Sequence, residues 1–417
     1  MNWLSNIFVS VTLACAPGVL FSQSHLQDDE RKEGNPSHDP GSKLAGASGS
    51  QAQAKTEERQ SPDLIPIEAL NALGLAYQDK AQYDQAEPLF LNALTLCEKY
   101  QGAEQPLVLV ATLNNLARLY YDQGKYGSME PLTWRALAVA EKTFGPQNVR
   151  VAVILDNLGH LYVAQGHFAR AQPMFLRAIR IREKELGPDH PDVAAGLSNY
   201  AYLLSWQGKY AESERLQRQA LAIRQKTLGP SHHDLTFSMN RLAQVCQLQG
   251  RLAEAMDWYR QAIAVLEKTV GPDHPEMAVV LINLASLCQD QHRYEESLDL
   301  YQQALTITEK SLGSDHPVAA TCIESLARLY SKQHRYDEAE PLYRRALAIQ
   351  EKTLGPDHPD LAETLKDYAV LLRRTNRKSE ANAFDRRAKN IVAKNPEAAL
   401  ANRTIDVRAL GLTSSHE

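Results

Sequence analysis

The sequence predicts an all-α solenoid of about eight antiparallel helix pairs. A glycine recurs every 42 residues from Gly145 to Gly355, and a fixed period of this size indicates stacked structural repeats. Within each period, apolar residues recur at the i, i+3, i+4, i+7 spacing of one helix face. No stretch alternates apolar and polar residues for long enough to build a sheet. Because stacked units share one continuous core, the 417 residues need not divide into separate globular domains.

Residues 1–22 have the composition of a signal peptide, so we expect export to a periplasm or cell envelope. The apolar core from Ile7 to Ala14 is too short to span a bilayer as a stable anchor. The segment before it has no lysine or arginine, so a cytoplasmic protein with an unprocessed N terminus is the alternative. Residues 12–15 loosely resemble a lipobox, which leaves lipidation of Cys15 open. Membrane contact is expected only through this leader or a lipid anchor.

Residues 23–63 form a polar segment that cannot bury enough apolar surface to offset its ordering entropy. We therefore predict a flexible linker there. The repeats occupy residues 64–393, and residues 394–417 form a C-terminal tail.

The first helix of each unit carries one apolar face, as at Leu113, Leu116, Ala117 and Tyr120. The small third residue of this set should let a partner helix approach closely. A glycine such as Gly124 follows and indicates a helix C-cap, because glycine tolerates positive φ. The last three units replace it with His292, His334 and Asn376.

The second helix begins with a pattern that resembles a capping box with aspartate as the cap. The examples are Asp84 with Glu87 and Asp337 with Glu340. Four prolines are then expected in the first helical turn, where a missing N–H does least harm. They are Pro88, Pro131, Pro173 and Pro341.

The cysteines are predicted to be small buried residues. Cys246 and Cys288 occupy the same place in neighbouring units, 42 residues apart. Packed helices lie roughly 8–10 Å apart, so these Cα atoms should exceed the roughly 7 Å limit for a disulfide. No C-x-x-C spacing points to zinc or redox chemistry.

A histidine recurs in the loop before the first helix of each later unit, usually as Asp-His-Pro. A polar residue before proline indicates a helix start. Successive loops should be too far apart for one zinc ion, whose ligands lie about 2 Å away. We therefore predict no metal site and no cofactor. The histidines are His190, His232, His274, His316 and His358.

Charge and motifs argue against two functional classes. The net charge is −5, whereas nucleic-acid binding needs a basic face for phosphates. None of the phosphate-binding, dinucleotide-binding, zinc-protease or nucleophile-elbow motifs is present. We therefore expect a non-enzymatic protein with no catalytic residues.

The repeated pattern resembles tetratricopeptide repeats of the kinesin-light-chain type over residues 66–392. The residues that carry the resemblance include Asn283-Leu284-Ala285, Arg345-Ala346-Leu347 and Glu351-Lys352-Thr353-Leu354-Gly355. The resemblance implies a right-handed superhelix. Because the heptad coiled coil of kinesin light chain is missing before the repeats, we expect a bacterial relative rather than a motor subunit.

A row of polar residues is expected on the inner face of the first helices. Amides both donate and accept hydrogen bonds, so they can hold the main chain of an extended peptide. The resemblance implies this role for Asn115, Asn157, Asn199 and Asn283. The alternative is that these amides bond to the neighbouring repeat and only shape the superhelix. The row is interrupted at Arg241, Ser325 and Asp367.

Three arginines on this face are further candidates for peptide binding. Arg118, Arg241 and Arg328 would pair with acidic side chains or a C-terminal carboxylate, or remain solvated charges. The predicted function is a protein–protein interaction scaffold that binds a peptide or protein segment in the concave groove. The alternatives are a structural component of an envelope or secretion assembly, and a regulatory subunit of a separately encoded enzyme.

Overall fold

A computed structural model of the protein describes residues 64–395, and this range contains sixteen α-helices and no strand. The predicted leader, the linker up to residue 63 and the tail beyond residue 395 lie outside the described residues. We number the helix pairs units 1 to 8. The helices are α1 (Leu64–Gln78), α2 (Tyr83–Lys99), α3 (Gln105–Asp122), α4 (Tyr126–Phe144), α5 (Val149–Ala164), α6 (Phe168–Leu186), α7 (Pro191–Trp206), α8 (Tyr210–Leu228), α9 (Leu235–Leu248), α10 (Leu252–Thr269), α11 (Pro275–Asp290), α12 (Tyr294–Ser311), α13 (Pro317–Lys332), α14 (Tyr336–Thr353), α15 (Leu361–Arg374) and α16 (Lys378–Lys394).

The predicted all-α solenoid is confirmed. Each first helix packs on the second helix of its own unit, and each second helix packs on the first helix of the next unit. Successive first helices also touch, which makes them the inner layer. No helix in residues 64–395 is both long and apolar enough to cross a membrane.

The core depends on aromatic side chains of the second helices that press against small residues of the first helices. Phe90 and Phe175 are fully buried. A Cβ on Gly74 would lie 2.5 Å from Phe90 Cε1, and a Cβ on Gly159 would lie 2.5 Å from Phe175 Cε1. The small residue expected at this position is therefore required by close packing. The four described cysteines are buried and unpaired, as predicted: Cys97, Cys246, Cys288 and Cys322.

The turn between the two helices of a unit has the predicted left-handed residue. Gly124 has φ +65°, and Asn376 at the same position in unit 8 has φ +62°. His334 adopts φ +62°, and its ring Nδ1 lies 2.8 Å from the Tyr336 hydroxyl. That hydrogen bond helps to offset the strain of a left-handed histidine.

Three of the loop histidines cap a first helix, as predicted: His190, His274 and His316. In each described Asp-His-Pro loop, the imidazole Nδ1 accepts a hydrogen bond from the backbone N–H two residues later. The distance is 3.1 Å for His190, 3.2 Å for His316 and 3.2 Å for His358. An accepting Nδ1 carries no proton, so the neutral ring has its N–H at Nε2.

The predicted capping boxes are wrong. The second helices begin one residue before the aspartate, and neither Gln82 nor Arg335 at the N-cap makes a side-chain capping bond. Glu87 and Glu340 instead pair with Lys125 and Arg377 of the next unit. The prolines are consequently in the second turn rather than the first. They are tolerated because they lie on the solvent face, where water can satisfy the freed carbonyl.

Ion pairs recur between the loop before a first helix and the end of the second helix of the same unit. Lys226 reaches Asp189 at 2.5 Å and Lys394 reaches Asp357 at 2.7 Å, each 37 residues apart. These side chains are largely exposed, so each pair contributes about 0.2–1 kcal/mol. Each pair ties the end of a second helix to the loop that begins its own unit.

Candidate functional site

The predicted asparagines lie just beneath the inner face, with 1–3% of each residue exposed. Asn115 Nδ2 donates to Asn71 Oδ1 at 3.0 Å, and Asn283 Nδ2 donates to Asn240 Oδ1 at 3.0 Å. Both hydrogen bonds join neighbouring first helices. These two residues therefore fit the alternative interpretation, in which the amide shapes the superhelix.

Asn157 and Asn199, in units 3 and 4, are different. Neither Nδ2 has a hydrogen-bond partner among the described residues, and Asn157 Oδ1 also has none. The Asn199 side chain does hydrogen-bond the His160 ring. A buried amide without partners costs about 1–3 kcal/mol. A ligand that supplied hydrogen bonds to these two amides would recover that free energy.

An aromatic and cationic group lies beside these amides. The His160 ring is 6.0 Å from the Tyr202 ring, and the Arg241 guanidinium lies 4.9 Å from the Tyr202 ring centroid. Arg241 also lies 5.3 Å from the Phe237 ring, and its Nη1 donates to Gln244 Oε1. Burial lowers the pKa of His160 to about 4, so this ring is neutral at pH 7.

A buried ion pair supports this region and was not found by sequence reasoning. Asp156 and Arg182 lie 2.6 Å apart between Oδ2 and Nη2, and their side chains are 2% and 4% exposed. The signal was an aspartate at the place where Asn114 and Asn240 stand in other units. A buried charge at a position where two other units have a neutral amide requires a partner.

The other two predicted arginines have internal carboxylate partners. Arg118 lies 3.9 Å from Asp79 and 4.0 Å from Asp122. Arg328 Nε lies 2.7 Å from Asp367 Oδ2, and its Nη2 lies 2.5 Å from Glu324 Oε1. The predicted pairing of these arginines with a ligand would therefore compete with existing ion pairs.

The carboxylates around Arg328 repel one another. Burial raises the pKa of Glu363 to about 8, while Arg328 opposes the shift and Glu324 and Asp367 add to it. Burial likewise raises the pKa of Glu324. This end of the inner face is thus acidic and closely paired, unlike the amide and aromatic region of units 3 to 5.

Three clusters within the described part of the chain have metal-ligand side chains within reach of one another. They are His232 with His233 and Asp234, Glu214 with Cys246 and Glu254, and Glu324 with Glu363 and Asp367. Arginines already pair with carboxylates of the second and third clusters. The first cluster lies in a surface loop. None of the three therefore has a complete set of the buried, unpaired ligands typical of a metal site.

The stacked helix pairs and their polar inner face define a helical-repeat protein, a class that presents an extended concave surface. The chain belongs to the tetratricopeptide repeat family, whose model matches residues 67–128, 108–184, 192–268, 276–352 and 325–394. The predicted resemblance to this family is confirmed. Repeats of this family are typically non-catalytic scaffolds for protein–protein interaction.

Solved structures with a similar arrangement include three proteins. BtubC (BKLC) from P. vanneervenii has 23% identity and a TM-score of 0.47, covering 54% of this chain and 91% of its own. A putative kinesin light chain of Podosopora anserina with nearly identical repeats has 29% identity and a TM-score of 0.39, covering 48% and 94%. A Rap protein complexed with Competence and Sporulation Factor has 16% identity and a TM-score of 0.49, covering 81% and 100%. No curated protein shows significant similarity to the chain.

Proposed function

We propose that this protein is a non-enzymatic scaffold that binds an extended peptide or protein segment on the inner face of units 3 to 5. Membership of the tetratricopeptide repeat family supports the general role of protein binding. The particular place is supported by the side chains that lie there.

The observation that carries the proposal is the set of unsatisfied amide groups, namely Nδ2 and Oδ1 of Asn157 and Nδ2 of Asn199. An extended segment presents alternating N–H and C=O groups, and both kinds of group can pair with asparagine. The neighbouring Tyr202 and Arg241 add an aromatic face and a positive charge. They favour a ligand with an aromatic or acidic side chain next to the bonded main chain.

Alanine substitution tests the site, with a matched control in the same row. After the partner is identified by cross-linking in the native cell, its Kd is measured for Asn157→Ala, Asn199→Ala and Asn115→Ala. Asn157→Ala and Asn199→Ala should each weaken binding about tenfold, because a main-chain hydrogen bond is lost. Asn115→Ala should lower stability and leave Kd within about twofold, since its amide bonds to Asn71. Equal Kd values for all three variants would contradict the proposal.

We also propose that the protein is exported through residues 1–22. The apolar core from Ile7 to Ala14 supports this. N-terminal sequencing and intact mass of the native protein test it, and a mature chain that still begins at Met1 would contradict it.

A further inference from the structure

Two loops near the C-terminal end contact two turns near the N-terminal end. His316 makes a hydrogen bond to the backbone of Asp79, and His358 makes one to the backbone of Asp122. Each aspartate lies at the end of a first helix, in units 1 and 2. Each histidine precedes a first helix, in units 7 and 8. The same contact is therefore made twice, between units that are six apart, so the superhelix returns on itself.

The tautomer of the two histidines fits this contact. Each Nδ1 accepts a backbone N–H of its own loop, from Val318 or Asp360. The Nε2–H is then directed away from the loop and can donate to the carbonyl of the opposite turn. The cap and the long-range contact use different nitrogens of one ring.

Burial on both sides marks the turns of units 1 and 2 and the loop before unit 8. The left-handed turn residue is exposed in units 4 to 8, at Gly208, Gly250, His292, His334 and Asn376. The same position is buried in units 1 and 2, where Ala81 is 5% exposed. On the opposite side, Leu354 and His358 are each 7% exposed, whereas the matching residues of the other loops are half-buried.

Apolar and steric contacts complete the junction. Leu354 belongs to the same buried cluster as Ala81 and Tyr83, although about 270 residues separate them in the chain. A Cβ on Gly124 would lie 2.8 Å from His358 Cδ2 and 2.9 Å from Pro359 Cδ. Gly124 therefore has both a positive φ and a close neighbour from unit 8.

We propose that these loops and turns form an intramolecular clasp that closes the superhelix and controls access to its inner face. The clasp consists of residues 79–83 and 122–124 on one side and residues 316–317 and 354–360 on the other. Within residues 64–395, the extensive helix contacts join helices of the same or adjacent units. The clasp can consequently open while each unit keeps its own packing.

A pair of glycine variants tests the clasp without a ligand. Gly124→Asn adds a side chain against His358, whereas Gly208→Asn adds it at the same turn position with nothing within 4 Å. Both residues have positive φ, +65° and +73°, which asparagine tolerates. Spin labels at the exposed positions Lys99→Cys and Lys389→Cys report the distance between units 1 and 8. Gly124→Asn should raise the long-distance population at least about tenfold, and Gly208→Asn should match the parent protein.

A second pair of variants tests the clasp independently if Gly124→Asn fails to fold. His358→Ala removes the hydrogen bond from the Asp360 N–H and the clasp contact, whereas His190→Ala removes only the equivalent hydrogen bond from the Asp192 N–H. His358→Ala should open the ends and His190→Ala should not. If both Gly124→Asn and His358→Ala keep the parent distance distribution, the clasp is contradicted.

Control of access rests on the proposed function and has its own readout. The association rate of the partner should rise with Gly124→Asn and stay unchanged with Gly208→Asn. An unchanged rate in a variant whose labels show open ends would overturn the gating role. A variant that opens but whose partner binds independently of Asn157 and Asn199 would overturn the binding site and leave the clasp intact.

Discussion

Asp156 and Arg182 form a buried ion pair, 2.6 Å between Oδ2 and Nη2, directly beside Asn157 in the inner layer. Arg182 comes from the second helix of unit 3, so the pair ties the two helices of that unit together. Asp156→Ala leaves a buried guanidinium without its carboxylate. The free energy of unfolding should fall by about 3–5 kcal/mol, as measured by urea denaturation.

The matched control is an exposed ion pair of the outer layer. Asp189→Ala breaks the pair with Lys226, whose side chain is 68% exposed. Its cost should be within about 1 kcal/mol. Equal costs for the buried and exposed pairs would show that Asp156 does not support the inner face.

Close packing of Gly159 on Phe175 gives a second prediction. Gly159→Ala places a Cβ 2.5 Å from the buried ring, so the ring or the helix must shift. The expected loss of stability is about 1–3 kcal/mol despite the better helix propensity of alanine. Gly127→Ala is the control, because nothing lies within 4 Å of its Cβ position. Thermal unfolding of both variants should separate them, and an equal Tm would contradict this packing.

The local features of the unit were predictable because they recur. A turn residue with positive φ and a loop histidine that caps a helix appear in unit after unit, and the structure confirms both. The capping boxes were mispredicted because Asp84 and Glu87 fit a local motif, yet Glu87 instead pairs with Lys125 of the next unit. The local sequence pattern is the same whether Glu87 caps its own helix or pairs with Lys125.

The contacts that make one unit differ from another could not be predicted in this way. The His316 loop has the same pattern as its counterparts elsewhere, and only the curvature of the whole superhelix brings it against Asp79. The candidate site was predicted in part. The row of asparagines was identified, but Asn115, which is bonded to Asn71, and Asn157 cannot be told apart by residue type and spacing alone.

Acidification should open the clasp. Burial lowers the pKa of His316 to about 4 and lowers that of His358, while Asp360 opposes the shift at His358 and the Asp79 and Asp122 backbones accept hydrogen bonds. When the clasp is open, a loop histidine should have a pKa of about 6.5. The neutral ring stabilises the closed form above that pH, and this contribution is lost as the pH falls toward 4.

The label distances test this pH dependence directly. Between pH 7 and pH 5, the shift at His316 alone should raise the ratio of open to closed protein by about 20-fold, and the shift at His358 should add to it. The double variant His316→Gln and His358→Gln should lack this response. A wild-type distance distribution that stays constant from pH 7 to pH 5 would contradict the prediction.

The buried carboxyl of Glu363 should give the opposite pH dependence, so that the free energy of unfolding falls as the pH rises. Its pKa is raised by burial to about 8 from an ordinary 4.5, so the folded state favours the protonated carboxyl. Stability from this group is present below pH 4.5 and is lost as the pH rises to 8. Glu363→Gln should flatten the dependence of unfolding free energy on pH between 5 and 8. An unchanged slope in urea unfolding series would show that Glu363 is not the source.

Site-specific photo-cross-linking shows which face of the solenoid contacts the bound partner. Benzoylphenylalanine is placed either at Tyr202, on the inner face, or at Trp134, which is 40% exposed on a second helix. The bound partner should cross-link to position 202 and not to position 134. Cross-linking at position 134 with none at position 202 would contradict binding on the inner face of units 3 to 5.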